Sequence, residues 1–136
     1  MLQAYSTNVD VAANTVYPLN NVTLDKGCGE NLSGNSTIQL NQRGVYLVEV
    51  DGFANPGAAG LVSAQLFVNG VAYPQAISSF TGTVDTVDTF GFKTFVQVST
   101  NNCNCNCCSS PTILQIMNGD VAVTGSHINV IVTKIR

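Results

Sequence analysis

The residues with the most obvious chemical potential sit in one run, Asn101-Asn-Cys-Asn-Cys-Asn-Cys-Cys-Ser-Ser110. Thiolates are soft metal ligands, and this run holds four of the chain's five cysteines. In an extended chain Cys103, Cys105 and Cys107 face the same way, with successive thiols about 6.5–7 Å apart. That is too wide to surround one tetrahedral ion from a flat strand, because Zn–S bonds are about 2.3 Å, but a curled loop can close the gap. The C-x-C-x-C-C spacing also differs from the C-x2-C of common zinc knuckles. Cys103, Cys105, Cys107 and Cys108 are thus the candidate ligands for zinc or another soft metal. Two other states suit the same residues: disulfides, within the loop or to Cys28, and free thiols in a reducing compartment. Adjacent Cys107 and Cys108 can bond to each other only in a strained ring. An odd total of five leaves at least one thiol unpaired in a monomer or bridging subunits.

Other reactive side chains are sparse. His127 is the only histidine; it stands beside Ser126 with no nucleophile-elbow motif, and a structural role is expected. Asp85 and Asp88, with Asp10 and Asp25 elsewhere, fall in Thr- and Gly-rich stretches. Their spacing does not fit an EF-hand loop, and solvated acids are expected. Asn21-Val-Thr23, Asn31-Leu-Ser33 and Asn35-Ser-Thr37 fit the N-glycosylation pattern, as chance allows in a chain so rich in Asn, Ser and Thr. There is no Walker loop, dinucleotide fingerprint or H-E-x-x-H. No nucleophile, base and orienting group converge, so the chain is not expected to be an enzyme.

The elements that must position these residues follow from composition and pattern. A length of 136 residues reads as a single domain, 1–136, able to bury a core without disulfides. Charged residues make up 10% of the chain, where about 25% is usual. Asn, Ser, Thr, Gln and Gly replace them, giving a polar, weakly charged surface that tolerates burial between subunits. The net charge is −3 and the five basic residues are scattered, which excludes a nucleic-acid surface. No apolar run is long enough for a spanning helix, so no membrane insertion is expected. The start, MLQAYSTNVD, has no signal-peptide pattern. Either the chain is part of a longer protein, or it folds in a cytoplasm and leaves by another route, as a phage protein released by lysis would.

Periodicity points to strands throughout, with no helical window. Strands are expected near Leu2–Thr7, at Thr37–Leu40 and at Val45–Val50. The last of these puts Tyr46, Val48 and Val50 on one face and Val45, Leu47 and Glu49 on the other. Asn41–Gly44 breaks the two. Pro18 keeps Val16–Leu19 extended, while Asp25–Asn35 and Ala54–Gly60 read as loops. Leu61–Val68 and Val71–Ile77 flank Asn69-Gly70, the signature of a type I′ hairpin, and Pro74 places the second strand at an edge or bulge. Ser79–Thr89 is a linker or weak strand. Phe90–Ser99, Thr112–Met117 and Ser126–Ile135 complete the set, with a turn near Asn118–Asp120. Short strands at this spacing indicate an all-β jelly roll or sandwich.

The order of these motifs resembles the trimeric jelly-roll family typified by C1q and tumour necrosis factor, including phage and bacterial fibre-tip members. Thr37–Leu40 followed by Gly44-Val45-Tyr46-Leu47 resembles its "G-x-Y" strand pair, Leu66–Gly70 its central hairpin, and Thr112–Asn118 with Ile128–Ile135 its last two strands. The similarity covers nearly the whole chain; the family's collagen-like stalk is missing and the Cys-rich loop is not a family feature. The resemblance implies a homotrimer with a structural or adhesive role and no catalysis. Composition leads to the same expectation, because Val45, Leu47 and Ile131 would face water in a lone sandwich, at roughly 1.5–3 kcal/mol per large side chain left unburied.

The expected protein is therefore a phage virion or fibre-tip protein, partnered by copies of itself, by other virion proteins, or by a host-surface glycan or protein. Ala54–Gly60 and Ser79–Thr89 are the loops expected to bind. The expected location is the virion, or alternatively a bacterial spore or cell surface. Two other classes remain open: a metal-binding module built on Cys103–Cys108, and a secreted ligand or lectin of the same fold.

Overall fold

The computed structural model describes residues 1–99 and 111–136. Its ten strands, in chain order, are β1 (Leu2–Val11), β2 (Asn21–Asp25), β3 (Glu30–Ser33), β4 (Thr37–Leu40), β5 (Gly44–Pro56), β6 (Gly60–Val68), β7 (Val71–Gly82), β8 (Asp88–Val98), β9 (Thr112–Asn118) and β10 (Val123–Lys134). They form two five-stranded sheets, β2-β1-β10-β5-β8 and β3-β4-β9-β6-β7, and every recorded pairing is antiparallel. No helix occurs among the described residues. This is the jelly-roll β-sandwich expected from the sequence.

Alternation builds the core. On β5, Tyr46, Val48, Val50 and Ala54 are buried; on β9, Leu114 and Ile116; on β10, Ile128, Val130 and Val132. Phe92, Thr94, Val96 and Val98 share one face of β8, as their spacing requires, with Phe92 only partly buried. The expected hairpin is present: Asn69 (φ 51°) and Gly70 (φ 79°) both occupy the left-handed region that a type I′ turn needs. Pro74 lies on β7, an edge strand, inside a stretch where pairing with β6 jumps from Gln65↔Ile77 to Phe67↔Ala72. A residue with no amide hydrogen is accommodated where the ladder is already interrupted.

Several boundaries differ from the sequence reading. The Asp25–Asn35 loop contains β3, and β2 precedes it. Both are short edge strands of mixed polarity, which leave little periodic trace. The Ala54–Gly60 loop shrinks to Gly57–Ala59, because β5 continues to Pro56 with pairing from both β8 and β10 as far as Ala54 and Pro56 respectively. Small residues there reflect close packing: Ala54 is fully buried. The strand pairs β4/β5 and β9/β10 are neighbours in sequence, yet their members lie in opposite sheets. Their connections cross from one layer to the other.

The segment between β1 and β2 plugs the core. Val16 bridges Met117, the Tyr17 amide donates to the Ile116 carbonyl at 2.8 Å, and Tyr17 and Leu19 are buried. The Tyr17 ring lies 5.7 Å from that of Phe90 across the sandwich. Tyr46 is buried too and donates to the carbonyls of Gln42 (2.8 Å) and Gly29 (3.1 Å). Burial pushes both phenols up to about 12. An unfolded tyrosine loses its proton near pH 10, whereas these two keep theirs. From pH 10 towards 12 the unfolded state therefore binds fewer protons than the folded one, and stability falls as pH rises. Melting temperature should hold steady below pH 10 and drop above it, together with the rise of tyrosinate absorbance. A flat melting temperature to pH 12 would contradict the assignment.

Candidate functional site: an apolar sheet face and two unlike ends

Strand direction sorts the chain into two ends. One end carries Met1, residues 26–29, the β4–β5 break, the Asn69-Gly70 turn, and Lys134–Arg136. The other carries Gly57–Ala59, Thr83–Val87 and the β9–β10 turn, as the registers Gly44↔Val98 and Val123↔Pro56 require. The loops expected to bind thus emerge together, at the end away from both termini. Val84 and Val87 are exposed there, and Asp85 adopts φ 60° in the turn. The Asp85 amide reaches the Pro56 carbonyl at 3.5 Å, linking the two loops.

Between the ends, β10, β5 and β8 present an outer face. Leu47 stands opposite Phe95 on β8 and Thr133 on β10, and Val45 lies beside Ile135, whose amide donates to the Val45 carbonyl at 2.8 Å. Val45, Leu47 and Ile131 are half-buried within the single chain rather than exposed. Phe95 and Ile135 carry most of the exposure, at 58% and 51%. A depression beside them is lined by Glu49, Asp51, Phe92, Lys93 and Ile131. Lys93 and Glu49 are 3.7 Å apart there, a solvent-screened pair of small energetic weight.

The flank next to Phe95 is sealed by side chains. Tyr73 Oη donates to the Phe95 carbonyl at 3.0 Å, and the Gly91 amide donates to Ser78 Oγ at 3.1 Å. Two backbone groups on the free edge of β8 are thereby engaged by β7, which blunts the edge against adding a further strand. Val71 and Ile77, also on β7, are exposed, and Ile77 pairs with Gln65 on the outer face of the second sheet.

Among the described residues, His127 has no hydrogen bond or ion pair with a nucleophile or an acid. Its ring stacks on Phe53 at 5.3 Å and lies 6.4 Å from Tyr5, so it is a member of an aromatic row on the same outer face. Tyr5 and Phe53 were not picked out by sequence reading, although their outward parity was the available signal. Asp10 accepts from the Gly125 amide at 3.1 Å, and Asp88 from the Thr89 amide at 2.8 Å. Asp10 and Asp88 lie towards the loop end and Asp25 at the opposite one, so the four acids do not form one site. No group of three His, Cys, Asp or Glu side chains gathers among the described residues.

The candidate metal ligands Cys103, Cys105, Cys107 and Cys108 lie outside the described residues. The strands that flank them are described. Val98 pairs with Gly44 and Thr112 with Leu40, at the end that also holds Cys28. Cys28 is a free, exposed thiol that accepts from Gln42 Nε2 at 3.2 Å.

No protein-family model and no curated protein sequence matches this chain. Solved structures do. The globular domain of zebrafish complement 1qA superposes with a TM-score of 0.66 at 7% identity, covering 96% of this chain and 94% of that one. Murine APRIL gives 0.67 at 10%, with 98% of each chain covered. PRD1 vertex protein P5 gives 0.63 at 14%, covering 99% and 96%. The fold is that of the C1q/TNF-like jelly rolls.

Proposed function

We propose that this chain is the trimeric structural or adhesive unit of a bacteriophage particle, serving as a capsid decoration, head fibre or fibre tip, without catalysis. The observation that carries the reading is the outer face of β10-β5-β8, where Phe95 and Ile135 stand exposed beside Val45 and Leu47. A closed three-fold ring needs two different complementary surfaces on each copy. The sheet face is one, and the edge strand β7 of the second sheet, where Val71 and Ile77 are exposed, is the other. Covering each large side chain contributes roughly 1.5–3 kcal/mol. The chain is only 10% charged, and the ions bordering this face, Glu49, Asp51, Lys93 and Arg136, are of both signs and can pair across a contact. The phage role is supported by the likeness to PRD1 vertex protein P5.

In this reading the two loops at the end away from the termini meet the host surface or a neighbouring virion protein, and three copies multiply a weak contact by avidity. Native mass spectrometry of the purified chain tests it. A three-subunit species is expected; a folded single subunit at high concentration would remove the assembly and with it the fibre-tip role.

A second reading has its own observation. The strands that flank Cys103–Cys108 in sequence, β8 and β9, have Val98 and Thr112 at the end that holds Cys28. If those cysteines form a metal-binding module, anaerobically purified protein will carry stoichiometric zinc, iron or copper by elemental analysis. Metal-free protein with five alkylatable thiols would end this reading.

A further inference from the structure

The structure points to a second binding site, and we propose that it takes a neutral saccharide. It is a shallow groove of about 220 Å³ across β6 and β9, on the outer face of the sheet that does not carry Phe95. The proposal rests on the adhesive part of the function given above and names the ligand class. It requires neither the three-fold assembly nor the thiols.

Asn118 at the back of this groove is fully engaged with the chain, but the other polar side chains are open. Asn14, Ser63, Gln65 and Asp120 line it, and among the described residues none of their side chains makes a hydrogen bond within the chain. The amides elsewhere on the same sheet behave differently. Gln115 Nε2 donates to Thr37 Oγ1 at 3.2 Å, and Asn31, Gln39 and Asn41 are joined in one network. Gln65 lies between those engaged groups and the loop end, half-buried and with both donor and acceptor open. Gly119 closes the groove: a Cβ there would meet Ser63 Oγ and force that hydroxyl to turn aside.

Phe67 and Met117 supply apolar surface beside these groups. A site with a few convergent polar groups next to an aromatic surface is the usual form of a small-ligand site. Its volume lies below the roughly 300–1,000 Å³ typical of pockets that enclose a drug-sized ligand. It therefore suits one or two sugar rings lying on the sheet. Pyranose hydroxyls need amide, hydroxyl and carboxylate partners, and the polarised C–H face of the ring suits an aromatic face.

Other ligand classes fit less well. Asp120 is the only charged residue in the lining, which disfavours phosphates and other anions. A peptide joining by strand addition needs a free sheet edge, but β6 and β9 are interior strands paired on both sides.

Saturation-transfer NMR with methyl glycosides of glucose, galactose, mannose, N-acetylglucosamine and N-acetylgalactosamine tests the site. At least one is expected to bind with a millimolar dissociation constant. Gln65→Ala and Asp120→Asn should each weaken binding about fivefold to tenfold, the loss of one hydrogen bond, with the melting temperature unchanged. Gln3→Ala, on the opposite sheet, should leave binding intact. Absence of transfer from all five glycosides, or binding indifferent to Gln65→Ala, overturns the proposal. Native mass measured on the same samples separates it from the assembly: a trimer that binds no glycoside sinks only the groove, and a glycoside-binding monomer sinks only the trimer.

Discussion

Phe95→Asp is expected to turn a trimer into folded monomers. Phe95 is 58% exposed in the single chain, so replacing it removes little of the subunit's own packing. Its Cα partner on β5 is Leu47, and Val45 and Ile135 share the adjoining depression. In the assembled particle this patch would be dry. An aspartate there must be stripped of water on assembly, at a cost of several kcal/mol per ion that a neighbouring charge such as Arg136 offsets only in part. Repeated in every subunit contact, the penalty exceeds what a modest interface supplies. Size-exclusion chromatography with light scattering should report one subunit, and circular dichroism an unchanged sheet signal. A trimer that survives Phe95→Asp places the interface elsewhere. Loss of the sheet signal instead would mean that Phe95 serves the fold, and Phe95→Ser would then be the milder variant to compare.

Asn118→Ala is expected to cost about 3–5 kcal/mol of folding free energy, among the larger single-residue effects available to this chain. Asn118 is 1% exposed at the end of β9. Its Nδ2 lies 3.3, 3.1 and 3.0 Å from the carbonyls of Val11, Ala12 and Val121. Its Oδ1 accepts from the Gly119 amide at 2.9 Å and from Tyr17 Oη at 3.4 Å. One side chain thus ties together the end of β1, the core plug and the β9–β10 turn. Each hydrogen bond contributes about 1 kcal/mol net, and each buried group left without a partner costs about 1–3 kcal/mol. Urea denaturation monitored by tyrosine fluorescence measures the change. A loss below about 1 kcal/mol would show that water or a rearranged turn satisfies the same carbonyls.

These two residues illustrate what could be read in advance. The sequence placed Asn118 in a turn, because Asn-Gly-Asp is turn chemistry. It gave no sign that this amide is buried, since burial there depends on Val11, Ala12 and Tyr17, which are over a hundred positions away. Phe95 was legible only as a residue of the β8 strand, off the face carrying Phe92, Thr94, Val96 and Val98. The inner and outer faces of β5 were legible over Val45–Val50, because period-two alternation is a local property. The Asn69-Gly70 hairpin was legible for a similar reason: two residues that tolerate positive φ decide it.

The groove on β6 and β9 was invisible in the sequence. Ser63 and Gln65 read as ordinary outward residues of a strand. Only pairing with β9, and the approach of Gly119, sets them beside Asn14 and Asp120. The edge strands β2 and β3 escaped notice because one partner and weak periodicity leave composition as the only trace.

The longer, alternating strands, their faces, the Asn69-Gly70 turn type and the all-β class were thus written in the chain's local pattern, since each depends on a backbone period or on one or two φ angles. Layer assignment belongs to the tertiary structure: neighbours in sequence such as β4 and β5 part into opposite sheets. So do the aromatic row of Tyr5, His127 and Phe53 and the choice of which amides remain open. These depend on contacts between residues far apart in the chain, whose relative position no local period encodes.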